Sequence, residues 1–177
     1  MCPNRRIRKK LPQVFISFRG KELRLRFSSH LFDAFRRRGI DFFIDEHELR
    51  GKDLKHLFTR IKESRIAIVI FSRRFARSRW CLNELAKINE RVEMGKLEAI
   101  PIFYNVETCD LKQLTGRFGD NFRKRAKKDG RKRTKRWMKA LESISGKFGL
   151  ELGKNSSESD FIKKIVMEVE RALNAIP

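Results

Sequence analysis

Four short apolar runs, each followed by a stretch of helical periodicity, constrain this chain more than any other feature. The runs are Val14–Phe18, Phe42–Ile44, Ile66–Phe71 and Ala99–Tyr104. They are continuously apolar rather than alternating, the pattern of strands covered on both faces. After the first, Phe27, Leu31, Ala34 and Phe35 recur at the spacing of an amphipathic helix. Leu54, Leu57, Phe58 and Ile61 mark a second helix, and Leu82, Leu85, Ile88 and Val92 a third running from Trp80 to Met94. Gly39 and Gly95 stand where C-terminal helix caps belong, the former after Arg36, Arg37 and Arg38. Strands that alternate with helices imply parallel crossovers and a doubly wound α/β sheet. Beyond Tyr104, Leu111–Ala126 and Thr134–Ile144 read as helices, Phe148–Leu150 as a short fifth strand and Phe161–Leu173 as a last helix.

A chain of 177 residues is one domain by length, and an apolar fraction of 40 % with 15 Phe is enough to build a core. Lys and Arg number 43 against 22 acidic residues, a net charge of +21 that favours polyanionic partners without bearing on fold. Cys2, Cys81 and Cys109 show no CxxC spacing, and His30, His47 and His56 no metal-ligand spacing, so neither a disulfide framework nor a metal is expected. Residues 1–12 are charged and lack the apolar stretch of a secretory signal, and no run approaches the length of a membrane span. The expected setting is cytoplasmic, with the nucleus as the second compartment.

Ligands of open parallel sheets bind beyond the carboxyl ends of the strands. Those ends carry Arg19 and Gly20, Asp45, Ser72, and Tyr104 with Asn105. The third helix begins just after the third strand, so its N-terminal segment SRWCLNEL faces the same edge. Trp80, Cys81 and Glu84 share one face there, three and four residues apart. Glu84 is expected beside the apolar stripe and only partly buried. Its alternatives are a solvated helix-face carboxylate and a functional one. The single Gly of SFRGKEL is not GxGxxG, and GxxxxGKS/T is absent, which argues against a classical dinucleotide or phosphate-loop fold.

The segments VFISFRGKELRLRFSSHL, GIDFFIDEHELRGKDL, IKESRIAIVIFSRRFARSRWCLNELAKI, AIPIFYNVETCDL and LTGRFGDNF, with the closing DFIKKIVMEVERALN, resemble in order the motifs of plant Toll/interleukin-1 receptor (TIR) domains. The resemblance implies a flavodoxin-like fold over residues 13–174, flanked by a basic tail at 1–12 and a short tail at 175–177. It also implies a TIR-only protein or a fragment of an intracellular immune receptor. Many plant members cleave NAD+ at the nicotinamide–ribose bond, as substrate rather than cofactor, and release ADP-ribose-type signals in defence. Carried over by motif, the catalytic residue is Glu84. Arg19, Gly20, Asp45, Trp80 and Cys81 fall at substrate-binding positions, while Ser29, His30 and Gly51 fall at self-association positions. Gly51 belongs to the loop spanning about Asp45 to Lys52.

A carboxylate suits this chemistry because loss of neutral nicotinamide develops oxocarbenium charge on the ribose and requires no general acid. Trp80 reads either as a stacking wall or as a packing residue, and Arg19 either as a phosphate contact or as a residue that pairs with backbone or surface. The chain departs from the family pattern where FRGEDTR becomes FRGKELR, at Lys21 and Leu23, and where YDVDPSD becomes YNVETCD, at Asn105 and Thr108. A TIR–TIR scaffold is the competing function. A further reading rests on Arg123–Lys139, which holds eleven basic residues and one acid, Asp129. That run reads as a nonspecific nucleic-acid contact, a nuclear-import signal or a solvated face, and nucleic-acid engagement would suit a cyclic-nucleotide synthetase activity reported for some family members.

Overall fold

A computed structural model describes residues 13–20, 23–44 and 54–177 of the chain. The described strands are β1 (Val14–Ser17), β2 (Phe42–Ile44), β3 (Ile66–Phe71), β4 (Glu98–Tyr104) and β5 (Leu150–Leu152). All pair in parallel in the order β2-β1-β3-β4-β5. This is the flavodoxin-like order, whose switch point lies between β1 and β3. The helices are α1 (Ser29–Arg37), α2 (Leu54–Glu63), α3 (Arg79–Glu93), α4 (Thr108–Gln113), α5 (Gly116–Lys128), α6 (Arg131–Ser145) and α7 (Glu158–Asn174). A π-helical turn, Arg24–Ser28, leads into α1.

Alternate residues of each strand face opposite cores. Val14, Ile16, Ile66, Ile68 and Ile70 pack with Leu31 and Phe35 of α1 and Ile165 and Val169 of α7. Phe15, Ala67, Val69 and Phe71 pack on the other side with Ile61 of α2, Leu82 and Leu85 of α3, and Trp137 of α6. Most of the stripe residues read from the sequence are buried: Phe27, Leu31 and Phe35, Leu57 and Ile61, and Leu82, Leu85 and Ile88 are enclosed, while Phe58 and Val92 are partly buried at the edge of the core. Both α1 and α3 end as predicted, on glycines with positive φ, Gly39 and Gly95. In each case the amide of the following residue reaches back to the last turn, Ile40 to Phe35 and Lys96 to Arg91.

Two expectations shift. The span Leu111–Ala126 is not one helix: Leu114 takes a left-handed conformation at φ 54°, and α5 restarts at Gly116. Gly119 permits this corner, since a Cβ there would meet the Leu114 carbonyl at 1.9 Å. The fifth strand lies two residues later than its apolar cue, because Phe148 is 78 % exposed and pairing with Ile102 begins at Leu150.

Candidate functional site

The N-terminus of α3 is set by Ser78, whose Oγ accepts from the Cys81 amide at 3.1 Å. This N-cap satisfies one of the helix's open donors and aims its first turn at the end of β1. Cys81, itself buried, places its Sγ 3.6 Å from the Phe18 carbonyl. One turn further, Glu84 meets the last residue of β1: the Ser17 hydroxyl donates to Glu84 Oε2 at 2.6 Å. Ser17 has the same strand parity as Phe15, so it faces α3. Trp80 is half-buried and packs against the core cluster of that face.

Glu84 is therefore not the partly exposed residue that its place beside the stripe suggests. It is 3 % exposed, within the α3 face that meets the sheet. Ser17 is part of the physical reason: a polar strand terminus supplies a hydrogen bond to a buried carboxylate that would be costly without partners. Sequence reading missed Ser17, although the signal was present, as a polar residue closing an apolar run on the α3-facing parity.

Arg19 follows β1 and donates from Nη1 to the Arg74 carbonyl at 3.2 Å. The backbone-pairing alternative thus describes one of its contacts. Gly20 has φ 106°, a conformation that favours glycine. Arg19, Gly20, Ser72, Tyr104 and Asn105 line one open cleft of ≈ 760 Å³ at the carboxyl edge. Neither Trp80 nor Glu84 lines it, so the edge residues divide into two neighbouring groups. Asp45 and Gly51 lie outside the described residues, as do Lys21, His47 and Cys2.

The departures from the family pattern find local partners. Leu23 joins the core beneath α1. Asn105 stands at φ 51°, a left-handed position that Asn tolerates well. Thr108 is the first residue of α4, where proline is ordinarily favoured, and its Oγ1 donates to Glu151 of β5 at 2.5 Å.

Ser29 turns its hydroxyl back onto the π-helical turn that precedes α1, donating to the Arg26 carbonyl at 2.8 Å. His30 is exposed and borders a groove between α1 and α7 lined by Ala34, Ile162, Val166 and Met167. The basic run forms the end of α5 and most of α6, and part of it is engaged internally. Asp129, between the two helices, receives Arg79 at 2.7 Å and Arg125 and Arg133 at 3.1 Å. Arg136 pairs with Glu90, and Lys139 with Glu93. Trp137 is fully buried, as expected, and its Nε1 donates to Asn83 at 3.0 Å. Among the described residues, no group of His, Cys, Asp or Glu converges as a metal site, and no helix is long and apolar enough to cross a membrane.

Residues 13–177 match the family described as TIR domain. Disease resistance protein RBA1 of Arabidopsis thaliana is 55 % identical over 163 residues, covering 92 % of this chain and 45 % of that protein. Disease resistance protein RPS4 of the same plant is 46 % identical over 165 residues, 93 % of this chain and 13 % of that protein. The chain thus spans less than half the length of these relatives. Among solved structures, the TIR domains of the activated Roq1 resistosome, which directly recognizes the pathogen effector XopQ, superpose with a TM-score of 0.79 at 38 % identity. That match covers 89 % of this chain and 98 % of the other. The RPS4 and RRS1 TIR domain heterodimer shares the fold alone, with a TM-score of 0.59 at 19 % identity over 90 % of this chain and 96 % of the other. Motif order, strand order and these similarities agree, and the chain belongs to the TIR domain family.

Proposed function

We propose that this chain is an NAD+ nucleosidase of plant defence signalling, with Glu84 as the residue that stabilises the ribose cation. The observation that carries the reading is the Ser17–Glu84 pair at the carboxyl edge of the sheet, 2.6 Å apart, on the helix that carries Trp80 four residues earlier. A carboxylate already oriented by a fixed donor needs no reorganisation as positive charge develops on the ribose. Trp80, half-buried one turn earlier on the same helix, supplies an aromatic ring for stacking, and Arg19 keeps further guanidinium donors for a phosphate. The similarity to disease resistance proteins supports a role in immunity.

Burial of Glu84 adds a condition. At 3 % exposure it meets a ribose only after its surroundings open. Self-association is the proposed opener, so activity rises faster than linearly with protein concentration. The test is nicotinamide release from NAD+ across a wide dilution series, at several ionic strengths because a charge of +21 opposes association at low salt. A constant specific rate argues for a self-sufficient monomer. No release at any concentration, from wild type and Glu84→Gln alike, refutes the enzyme.

The second reading, a TIR–TIR docking module, draws on the α1–α7 groove. Ile162, Val166 and Met167 of α7 give it an apolar strip among charged residues, Met167 is 68 % exposed, and His30 stands on its border. His30→Ala should then reduce self-association measured by analytical ultracentrifugation without altering the melting temperature.

A further inference from the structure

The ≈ 760 Å³ cleft beside the Glu84 site carries a charge that NAD+ cleavage does not require. One wall is a single face of α5, with Arg117, Asp120, Asn121 and Lys124 at positions i, i+3, i+4 and i+7. The opposite wall is the segment between β3 and α3, which contributes Arg73, Arg74 and Arg77. Arg19 and Arg26 close the end beside β1. Among the described residues, seven cations therefore face one another across a concave space with one acid. That acid, Asp120, is already held by Arg123 outside the cleft at 2.5 Å. Among the described residues, none of the seven is in an ion pair.

The walls are fixed by hydrogen bonds to uncharged acceptors rather than by counter-charges. Asn121, 7 % exposed, accepts from Arg77 Nε at 2.9 Å and donates to the Arg73 carbonyl at 2.7 Å. Arg19 ties the Arg74 carbonyl to the end of β1. The cations are thus held close together at an electrostatic cost that a polyanion would relieve. Guanidinium groups present paired donors matched to phosphate oxygens, and a cleft of this size is of small-molecule scale. A duplex would touch its rim and leave the interior unpaired. The pyrophosphate of a dinucleotide brings about two charges, too few for seven cations.

We propose that this cleft is a binding site for a compact polyphosphate, a small molecule bearing three or more phosphate groups. Neither Glu84 nor Trp80 lines the site, and Arg19, which the proposed function offers to a substrate phosphate, is shared by the two readings.

The test is isothermal titration of the full chain with sodium tripolyphosphate at low ionic strength. Saturable one-to-one binding is expected, weakening as salt rises. Arg74→Gln combined with Arg117→Gln removes one cation from each wall and should weaken binding by more than about tenfold. Lys124→Gln gives an independent position on α5 with an effect in the same direction. Lys127→Gln with Lys128→Gln removes the same amount of charge at the C-terminal end of α5, outside the cleft, and should weaken binding less than about threefold. These side chains are exposed, and thermal melts of each variant should match that of the wild type. Equal losses from the two double variants would reduce the effect to overall charge and overturn the proposal. So would orthophosphate binding as tightly as tripolyphosphate, or no saturable binding at low salt. Stoichiometric displacement of tripolyphosphate by duplex DNA, lost in the same wall variants, would reassign the cleft to nucleic acid.

Discussion

Ser17 Oγ and Glu84 Oε2 lie 2.6 Å apart across 67 residues of sequence, and this hydrogen bond joins the end of the first strand to the first turns of α3. It holds a carboxylate in an interior position where an unpaired one would be strongly disfavoured. The two residues form one unit, and substitutions at either end should be separable by what they do to activity and to stability.

Glu84→Gln retains the shape and a hydrogen-bond acceptor but removes the charge. Loss of a preorganised charge-stabilising group costs ~3–4 kcal/mol of barrier, about two to three decades of NAD+ cleavage. Its melting temperature should stay close to wild type. Glu84→Ala should lose activity equally but also lose stability, by ~1–3 kcal/mol, because the buried Ser17 hydroxyl is left without this partner. Full nicotinamide release by the Gln variant would remove Glu84 from the chemistry.

Ser17 is the positioning member of the pair. Ser17→Ala should lower kcat while KM stays nearly constant, since the hydroxyl orients the carboxylate and does not reach substrate. Ser17→Thr keeps the hydroxyl and should recover much of the rate. If both variants lower activity only in proportion to their folded fraction, Ser17 is a packing residue.

The sheet was legible because its signals are local. Continuous apolar runs, helix stripes and two capping glycines each act within a few residues, and the observed cores follow them. The buried state of Glu84 was not legible from the helix alone. Its stripe neighbours Leu82, Leu85 and Ile88 fill the interior, and periodicity places Glu84 at their edge. A donor that helps hold it inside lies on a strand 67 residues away. The corner at Leu114 escaped for a similar reason, since nothing in LKQLTGRFGD forbids a continuous helix. The close approach of Gly119 to the Leu114 backbone, visible only in three dimensions, marks the break. The cationic cleft unites residues from four separate segments, three of which lie outside the basic run that drew attention in the sequence.

Tyr104 offers a spectroscopic check, because it is the chain's single tyrosine. Burial, and then donation to Glu158 at 2.6 Å, push its ionisation up from the ordinary value of 10 to about 12. Tyrosinate absorbance should therefore appear near pH 12 in the folded chain. Glu158→Gln should bring the midpoint only part of the way back, since burial is the larger cause. The sign for stability follows from linkage: between pH 10 and 12 the unfolded chain has lost this proton and the folded chain retains it, so stability falls as pH rises through that window. Tyr104→Phe should flatten that part of the decline. A midpoint near 10 in the folded protein would show that the phenol is neither enclosed nor paired.

Asp129 ties the basic run to the site. Its side chain is 1 % exposed and receives Arg79, Arg125 and Arg133, the first of which immediately precedes Trp80 in α3. Removing its charge leaves three guanidinium groups crowded around a neutral amide. A fully buried pair broken in this way costs ~3–5 kcal/mol. Arg79 and Arg133 are 48 % and 49 % exposed, however, so solvent screens much of their repulsion. The expected cost of Asp129→Asn is accordingly ~1–3 kcal/mol, or a fall in melting temperature of roughly 2–12 °C for a domain of this size. Arg79→Gln removes one half-exposed partner and should cost under ~1 kcal/mol. Raising the salt should narrow the difference between Asp129→Asn and wild type, because the exposed guanidinium groups are the ones ions reach. A variant as stable as wild type at low salt would mean that the three arginines need no anchor, and that the start of α3 is held by Ser78 and the core alone.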